Sequence, residues 1–333
     1  MSVSNKWRLR SLWHQTGNGT GQIGIGKLSW ASVAGGATLC VGGTASASST
    51  YGGFYDPART FDLAAPVANG LWYGPAGLNA WIEYDFPAPV SIVECRMIIA
   101  DPNDSPRAFV MEYFDGAVWQ IEFLGYNDSA WTVGPTYTFT EPTRQNSNQY
   151  WGFVSTAGIN PGWFDVFLAH CAMHIVPAGA DVCGTGIPHA KPAESGGNPI
   201  ANAFAPNSGG FYNNTTGTSG TVIFYDFGAG NNKIIVEMVF TADAAGNHDR
   251  APGTGYFIYS QDGNGFGLIN AFNGLIYAAN QVTVPVALPL APSDLVLGQL
   301  VMITVTNEIF LPEMFVPLGL GQYLATYPYY VGE

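Results

Sequence analysis

His170 and His174 stand four residues apart, a spacing that on a helix could hold one metal ion. Phe167, Leu168 and Met173 around them read as a strand instead. Residues four apart on a strand share a face but lie roughly 13 Å apart, too far for a common ion. His14, His189 and His248 are scattered, and the chain has no G-x-S-x-G, H-E-x-x-H or P-loop motif. Two carboxylates flanking a scissile bond would suggest glycoside hydrolysis, and Glu83, Asp85, Glu94 and Glu112 are the nearest candidates. They alternate with apolar residues, which predicts a solvated sheet face for them. Cys40, Cys95, Cys171 and Cys183 form no C-x-x-C pair and have no histidine at zinc spacing beside them, so free, buried thiols are expected. The expectation is a chain with no catalytic residues, no metal site and no cofactor.

The elements around these groups are strands. In Trp81-Ile-Glu-Tyr-Asp-Phe86 bulky and polar residues alternate with the period of two that places one set of side chains on a buried sheet face. Ser91 to Ile99 is a second β-rich run, Phe109 to Phe114 a third, and Asp115-Gly116 supplies a two-residue hairpin turn before Trp119. Upstream, Trp7 to Trp13 reads as an opening strand, Ile25 to Trp30 as a second, Thr44 to Thr50 as a small-residue segment, and Pro57 to Phe61 as a short helical or turn element that plugs the barrel end. Ile121 to Leu124 and Thr136 to Thr140 read as closing strands.

The pattern occurs twice. Thr221-Val-Ile-Phe-Tyr-Asp-Phe227, Ile234 to Phe240, Arg250, Tyr256 to Ser260 and Asp262-Gly263 repeat the order and residue types of the first set. Tyr84 and Tyr225 are 141 positions apart, Asp115 and Asp262 147, and Trp151-to-Cys183 matches Trp7-to-Cys40 to within one residue. A period this long reports a repeat of a whole domain, not a solenoid.

Trp81 to Phe86, Ser91 to Ile99, Arg107, Val110 to Phe114 and Asp115 to Trp119 resemble the discoidin (coagulation factor C-type) domain of the galactose-binding-like jelly rolls. The second copy departs from that pattern, with Val222 at the place of the strand tryptophan and Gly265-Phe266 after its Asp262-Gly263. The resemblance implies two tandem jelly-roll β-sandwiches whose ligands are met by loops at one end of the barrel. Carried over by position, it points to Trp72, Tyr73 and Arg107 in the first copy and to Phe211, Tyr212 and Arg250 in the second.

Composition agrees with an all-β chain. Gly 42, Pro 22, 14% aromatic and 11% charged residues suit short strands and tight turns, not amphipathic helices. At 333 residues and 47% hydrophobic content there is material for two cores. Residues 1–142 form the first expected domain, 143–149 a linker within the polar stretch Glu141 to Gln149, 150–288 the second domain, and 289–333 a C-terminal extension. Residues 285–333, apolar and punctuated by proline, have no expected counterpart in the first copy. They read as a docking arm or as an ordinary terminal strand.

The formal net charge of −13 opposes attraction to phosphate backbones and anionic lipid, so nucleic acid is not an expected partner. Met1 to Arg10 lacks the apolar core of a secretory signal, and the longest apolar stretch, Leu295 to Val305, is about half of what a membrane helix needs. Membrane insertion is not expected. An acidic, Gly- and aromatic-rich tandem of this kind is similar to domains of bacteriophage virions. The resulting expectation is a non-enzymatic virion structural protein of tail, baseplate, fibre or capsid surface, made in the host cytoplasm. It would assemble with itself and other virion proteins, with host-surface glycan as an additional contact. The alternative is a carbohydrate-binding module of a bacterial surface or secreted protein.

Overall fold

Alternation along the chain becomes antiparallel register throughout the molecule. A computed structural model describes residues 2–14, 23–52, 55–64, 72–74, 80–127, 129–143, 147–158, 166–191, 199–205, 210–212, 221–242, 251–275, 283–288, 315–317 and 323–325. The strands of the first half are β1 (Ser4–His14), β2 (Ile23–Ile25), β3 (Lys27–Ala31), β4 (Thr44–Ala47), β5 (Trp72–Gly74), β6 (Trp81–Val90), β7 (Glu94–Ile98), β8 (Pro106–Phe114), β9 (Trp119–Tyr126) and β10 (Thr136–Thr140). Those of the second half are β11 (Ser147–Asn148), β12 (Tyr150–Gly158), β13 (Phe167–Leu168), β14 (His170–His174), β15 (Ile187–Lys191), β16 (Phe211–Tyr212), β17 (Thr221–Asp226), β18 (Lys233–Ile234), β19 (Glu237–Thr241), β20 (Pro252–Ser260), β21 (Gly265–Phe272) and β22 (Thr283–Ala287). One short helix, α1 (Pro57–Phe61), and a 3-10 helix over Ile200–Phe204 complete the described elements of this unit, which spans Met1–Asp294. A second unit, Leu295–Glu333, contains an antiparallel pair of strands, β23 (Phe315–Pro317) and β24 (Tyr323–Ala325). The docking-arm expectation falls mostly outside the described residues.

The protein is all-β, with several antiparallel sheets. Ten strands form one sheet in the order β15-β17-β12-β20-β21-β9-β8-β1-β6-β4, so a single hydrogen-bonded ladder runs through both halves. Smaller sheets β10-β7-β3 and β14-β19-β22 belong to the first and second half respectively. Three apolar clusters follow from this layout. Trp7, Trp30, Trp72, Ile82, Tyr84 and Met97 centre the first-half core. Trp151, Phe153, Phe211, Ile223, Tyr225 and Phe240 centre the second. Leu12, Ala108, Val110, Leu124 and Tyr126 meet Val154, Val222, Phe224, Ile258 and Phe266 in a third core shared by the halves. Burying each large side chain of this kind stabilises the fold by about 1.5–3 kcal/mol.

This third core explains the second copy's departure from the repeat. On β6 the residues alternate, Ile82, Tyr84 and Phe86 buried and Trp81, Glu83 and Asp85 partly exposed. On β17 Val222 and Phe224, at the places of Trp81 and Glu83, are buried as well, because that face of the sheet is covered by the first half. A strand buried on both faces loses its polar alternation.

The halves share more than their order of strands. Trp7 Nε1 donates to the carbonyls of Ser4 and Val90, both at 3.1 Å, and Trp151 Nε1 to those of Asn148 and Lys233 at 3.2 and 2.9 Å. The Tyr84 hydroxyl accepts the Gly43 N–H at 3.0 Å and the Tyr225 hydroxyl that of Gly186 at 2.7 Å. Glu94 accepts the Gly35 N–H at 3.0 Å and Glu237 that of Ala178 at 2.9 Å, each carboxylate stapling a turn that carries a left-handed residue. Helix α1 begins where Asp56 Oδ1 accepts the Ala58 N–H, has Pro57 in its first turn, and inserts Phe61 against Tyr84 with ring centroids 4.8 Å apart. The 3-10 helix does the same with Phe204 and Tyr225 at 5.0 Å.

Several expectations change. Thr44-Ala-Ser-Ala47 is a strand, paired to β6, whose small residues hid the signal. Residues 283–287 do have a first-half counterpart, since β22 pairs with β19 as β10 pairs with β7. The run Ile234 to Phe240 breaks between β18 and β19, with Val236 N–H donating to the His174 carbonyl. Glu94 and Glu112 are buried at 3% exposure instead of solvated, because arginines neutralise them.

Candidate functional site

Strands β2 and β5 build one end of the first half. Gly24 lies opposite Tyr73 and Ile25 opposite Trp72. A Cβ on Gly24 would come within 2.6 Å of the Tyr73 ring, so glycine is what lets that ring lie across β2. Gly24 N–H donates to the Asp104 carbonyl at 2.8 Å, and the Ser105 hydroxyl donates to the Gly24 carbonyl at 3.0 Å. These bonds tie the loop that leads into Arg107 to the same end.

Of the first-copy residues singled out from sequence, Trp72 is fully buried and donates through Nε1 to the Ser49 carbonyl at 2.9 Å. Arg107 is also buried, in β8, with its carbonyl accepting the Asn127 N–H at 2.8 Å. Tyr73 is half-buried and meets Tyr55 with ring centroids 5.4 Å apart at 44°. Tyr55 in turn meets Tyr51 at 6.2 Å and 57°, and Tyr51 is 57% exposed. The Tyr51 N–H donates to the Tyr73 carbonyl at 2.8 Å and fixes the trio to β5. Three tyrosines in successive tilted contact therefore form an aromatic cluster at this end, exposed at Tyr51 and half-buried at Tyr55 and Tyr73. Sequence reasoning named Tyr73 and missed Tyr51 and Tyr55. Their signal was present in the aromatic residues flanking Gly52-Gly53.

In the second half Phe211 is buried and pairs with Leu168, and Tyr212 pairs along the backbone with Phe167. Phe167 takes the place of Gly24, so the arrangement of a ring lying over a glycine belongs to the first half. Arg250 lies outside the described residues.

The candidate carboxylates and histidines are held in pairs. Glu112 accepts from Arg8 at 2.5 Å and from Arg10 at 2.6 Å, and the Arg8 guanidinium lies 4.1 Å from the Trp119 ring centre and 5.8 Å from that of Trp81. Lys6 sits 3.8 Å from Glu83 and 3.5 Å from Asp85. Burial pushes the Glu83 carboxyl above its ordinary range, against the pull of Lys6 and Arg8. His170 meets Asp181 at 3.1 Å and His174 meets Glu237 at 2.7 Å, so each histidine of the pair has its own carboxylate. All four cysteines are buried and free; burial pushes the Cys40 thiol up to about 12 and the other three higher still. Thiols held in this form are inert. No helix among the described residues is long and apolar enough to cross a membrane.

Compared with known proteins, the chain matches no family model, no curated protein and no solved structure.

Proposed function

We propose that this chain is a non-enzymatic structural protein of a bacteriophage virion, built of two tandem galactose-binding-like jelly-roll sandwiches with a C-terminal extension. It assembles with copies of itself and with other virion proteins, and the tyrosine end of its first half contacts host-surface glycan. The observation that carries this reading is the shared third core. Ten apolar residues from both halves lock the repeat into one stiff block, a design suited to transmitting load in an assembly. Glu112 is paired with arginines within the first half, and His170 and His174 with carboxylates within the second.

Light scattering on the full chain and on a chain ending at Pro289 tests the assembly. The full chain is expected to exceed its monomer mass of 35.4 kDa and the truncated chain to match its own monomer. Monomers from both would overturn self-assembly through the extension.

The trio Tyr51, Tyr55 and Tyr73 favours a second reading, a carbohydrate-binding module of a bacterial surface or secreted protein. Glycan-array binding that is lost in Tyr55→Ala, from a chain that stays monomeric, selects this reading over the first.

A further inference from the structure

The strand that closes the first half runs out against the second. Thr140 ends β10, and its carbonyl lies so close to Gly265 of β21 that a Cβ there would overlap it. Two residues on, the Pro142 carbonyl accepts the Tyr259 hydroxyl of β20 at 3.4 Å. Glu141 stands between these two contacts, on the seam of the halves. Its N–H donates to the Val93 carbonyl at 2.7 Å, and its Oε2 is buried with no hydrogen-bond partner among the described residues. A carboxyl in that position favours its neutral form.

The repeat shows that the fold itself does not require an acid there. Glu141 N–H bonds Val93, whose own N–H bonds the Ala31 carbonyl; Leu288 N–H bonds Val236, whose own N–H bonds the His174 carbonyl. Leu288 therefore holds the place of Glu141, buried in the second core. The neighbouring acid, Glu122, follows Ile121, which lies opposite Glu112, and Ile269 follows Leu268, which lies opposite Ile258. Glu112 pairs with Arg8, next to Trp7, as Ile258 pairs with Gly152, next to Trp151. Ile269 thus holds the place of Glu122, and it packs on the second core. One pair of places is filled by isoleucine and leucine in the second half and by two glutamates in the first.

Few charges face Glu141. Glu122 on β9 repels it and the N-terminal ammonium attracts it. Glu122 accepts the Ser2 N–H at 2.8 Å, which fastens the residues before β1 to the same corner. Among the described residues, neither glutamate forms an ion pair with a lysine, arginine or histidine side chain. Burial and then Glu122 push the Glu141 carboxyl up to about 7.

We propose that Glu141 and Glu122 form a proton-operated clasp on the seam between the halves. With Glu141 neutral, the stretch 140–142 stays closed on Gly265 and Tyr259. With Glu141 ionised, two like charges meet at places that the second half fills with apolar side chains, and the stretch lifts toward water. The third core stays closed, so the halves remain joined while their outer seam opens. The clasp stands whether or not the chain belongs to a virion.

Hydrogen exchange of the full chain tests it, read by mass spectrometry from pH 5.5 to 8.5 and corrected for the intrinsic pH dependence of exchange. A carboxyl that titrates at about 7 in the closed seam and about 4.3 in the open one should raise the opening of residues 136–142 about tenfold between pH 6 and pH 8. Strands β12 and β17 should keep their protection. Glu141→Gln cannot ionise and Glu141→Leu installs the second half's residue, so both should hold the stretch closed across the range. Glu122→Gln removes the repulsion and should move the midpoint to lower pH. Exchange of 136–142 that stays constant from pH 6 to pH 8 in the parent, or that rises as much in Glu141→Gln as in the parent, overturns the clasp. An unmoved midpoint in Glu122→Gln overturns the pairing of the two carboxyls.

Discussion

Two tyrosine hydroxyls do the same task in the two halves, each accepting a glycine N–H from the segment that precedes an edge strand. Tyr84→Phe and Tyr225→Phe should each cost about 1 kcal/mol, read from urea midpoints at unchanged slope. A different residue sets the response to pH. Glu141 follows β10, and its Oε2 is buried with no hydrogen-bond partner among the described residues. Burial first, and the Glu122 carboxylate second, push its carboxyl up to about 7 against the pull of the N-terminal ammonium. A carboxyl raised in this way binds its proton more tightly in the folded chain than in the unfolded one. Its stabilisation is present below the unfolded value near 4.3 and is lost as pH rises to about 7. Glu141→Gln should therefore flatten the fall in melting temperature between pH 5 and pH 8 and make the variant the more stable protein at pH 8. Neither effect was legible in the sequence. Tyr84 was readable as a core residue of an alternating strand, but its hydroxyl partner lies 41 residues away, and the exposure of Glu141 depends on what folds over it.

At the scale of elements, alternation and turn chemistry carried most of the reading. The hairpin turn lies at Asp115-Gly116, with Gly116 at φ +102°, but four residues, 115 to 118, close it instead of two, and of the two readings of Pro57 to Phe61 the helical one holds. What stayed hidden were the elements defined by contact instead of composition. The strand over Thr44–Ala47 has only small residues, and the tyrosine end is made by Gly24, whose role depends on a strand 49 residues later. The junction of β9 with β21 is of the same kind. Gly125 faces Gly265 there, and a Cβ on Gly265 would overlap the Thr140 carbonyl. Gly265→Ala should cost about 1–3 kcal/mol through displaced backbone. It should raise hydrogen exchange in β9 and β21 ahead of the core strands β1 and β12, and uniform exchange across all four would argue against a localised junction.

Across the whole molecule, the ten-stranded ladder and the third core join the halves into one cooperative unit. Calorimetry of the residues up to Asp294 should show a single transition. Phe224→Glu installs in the second half the residue type that Glu83 supplies in the first, and places it in the shared core beside Tyr126 and Phe266. It should cost about 3–5 kcal/mol, split the transition in two, and expose the stretch 141–149 to protease. A single, merely lowered transition would mean that the halves are not coupled through this core. The repeat itself was legible in the sequence, and so were its departures at Val222 and Gly265-Phe266, whereas that at Phe224 emerged from the structure. Their cause was not legible, because it is the other half of the same chain.

That cause makes the two halves unequal inheritors of one plan. The first half kept charged side chains on the outside of β1 and β6, whereas the second gave up polarity on its matching face in order to be covered. Without the first half, Val154, Val222, Phe224, Ile258 and Phe266 would face water. The apolar face of β17 therefore makes the second half depend on the first for its cover.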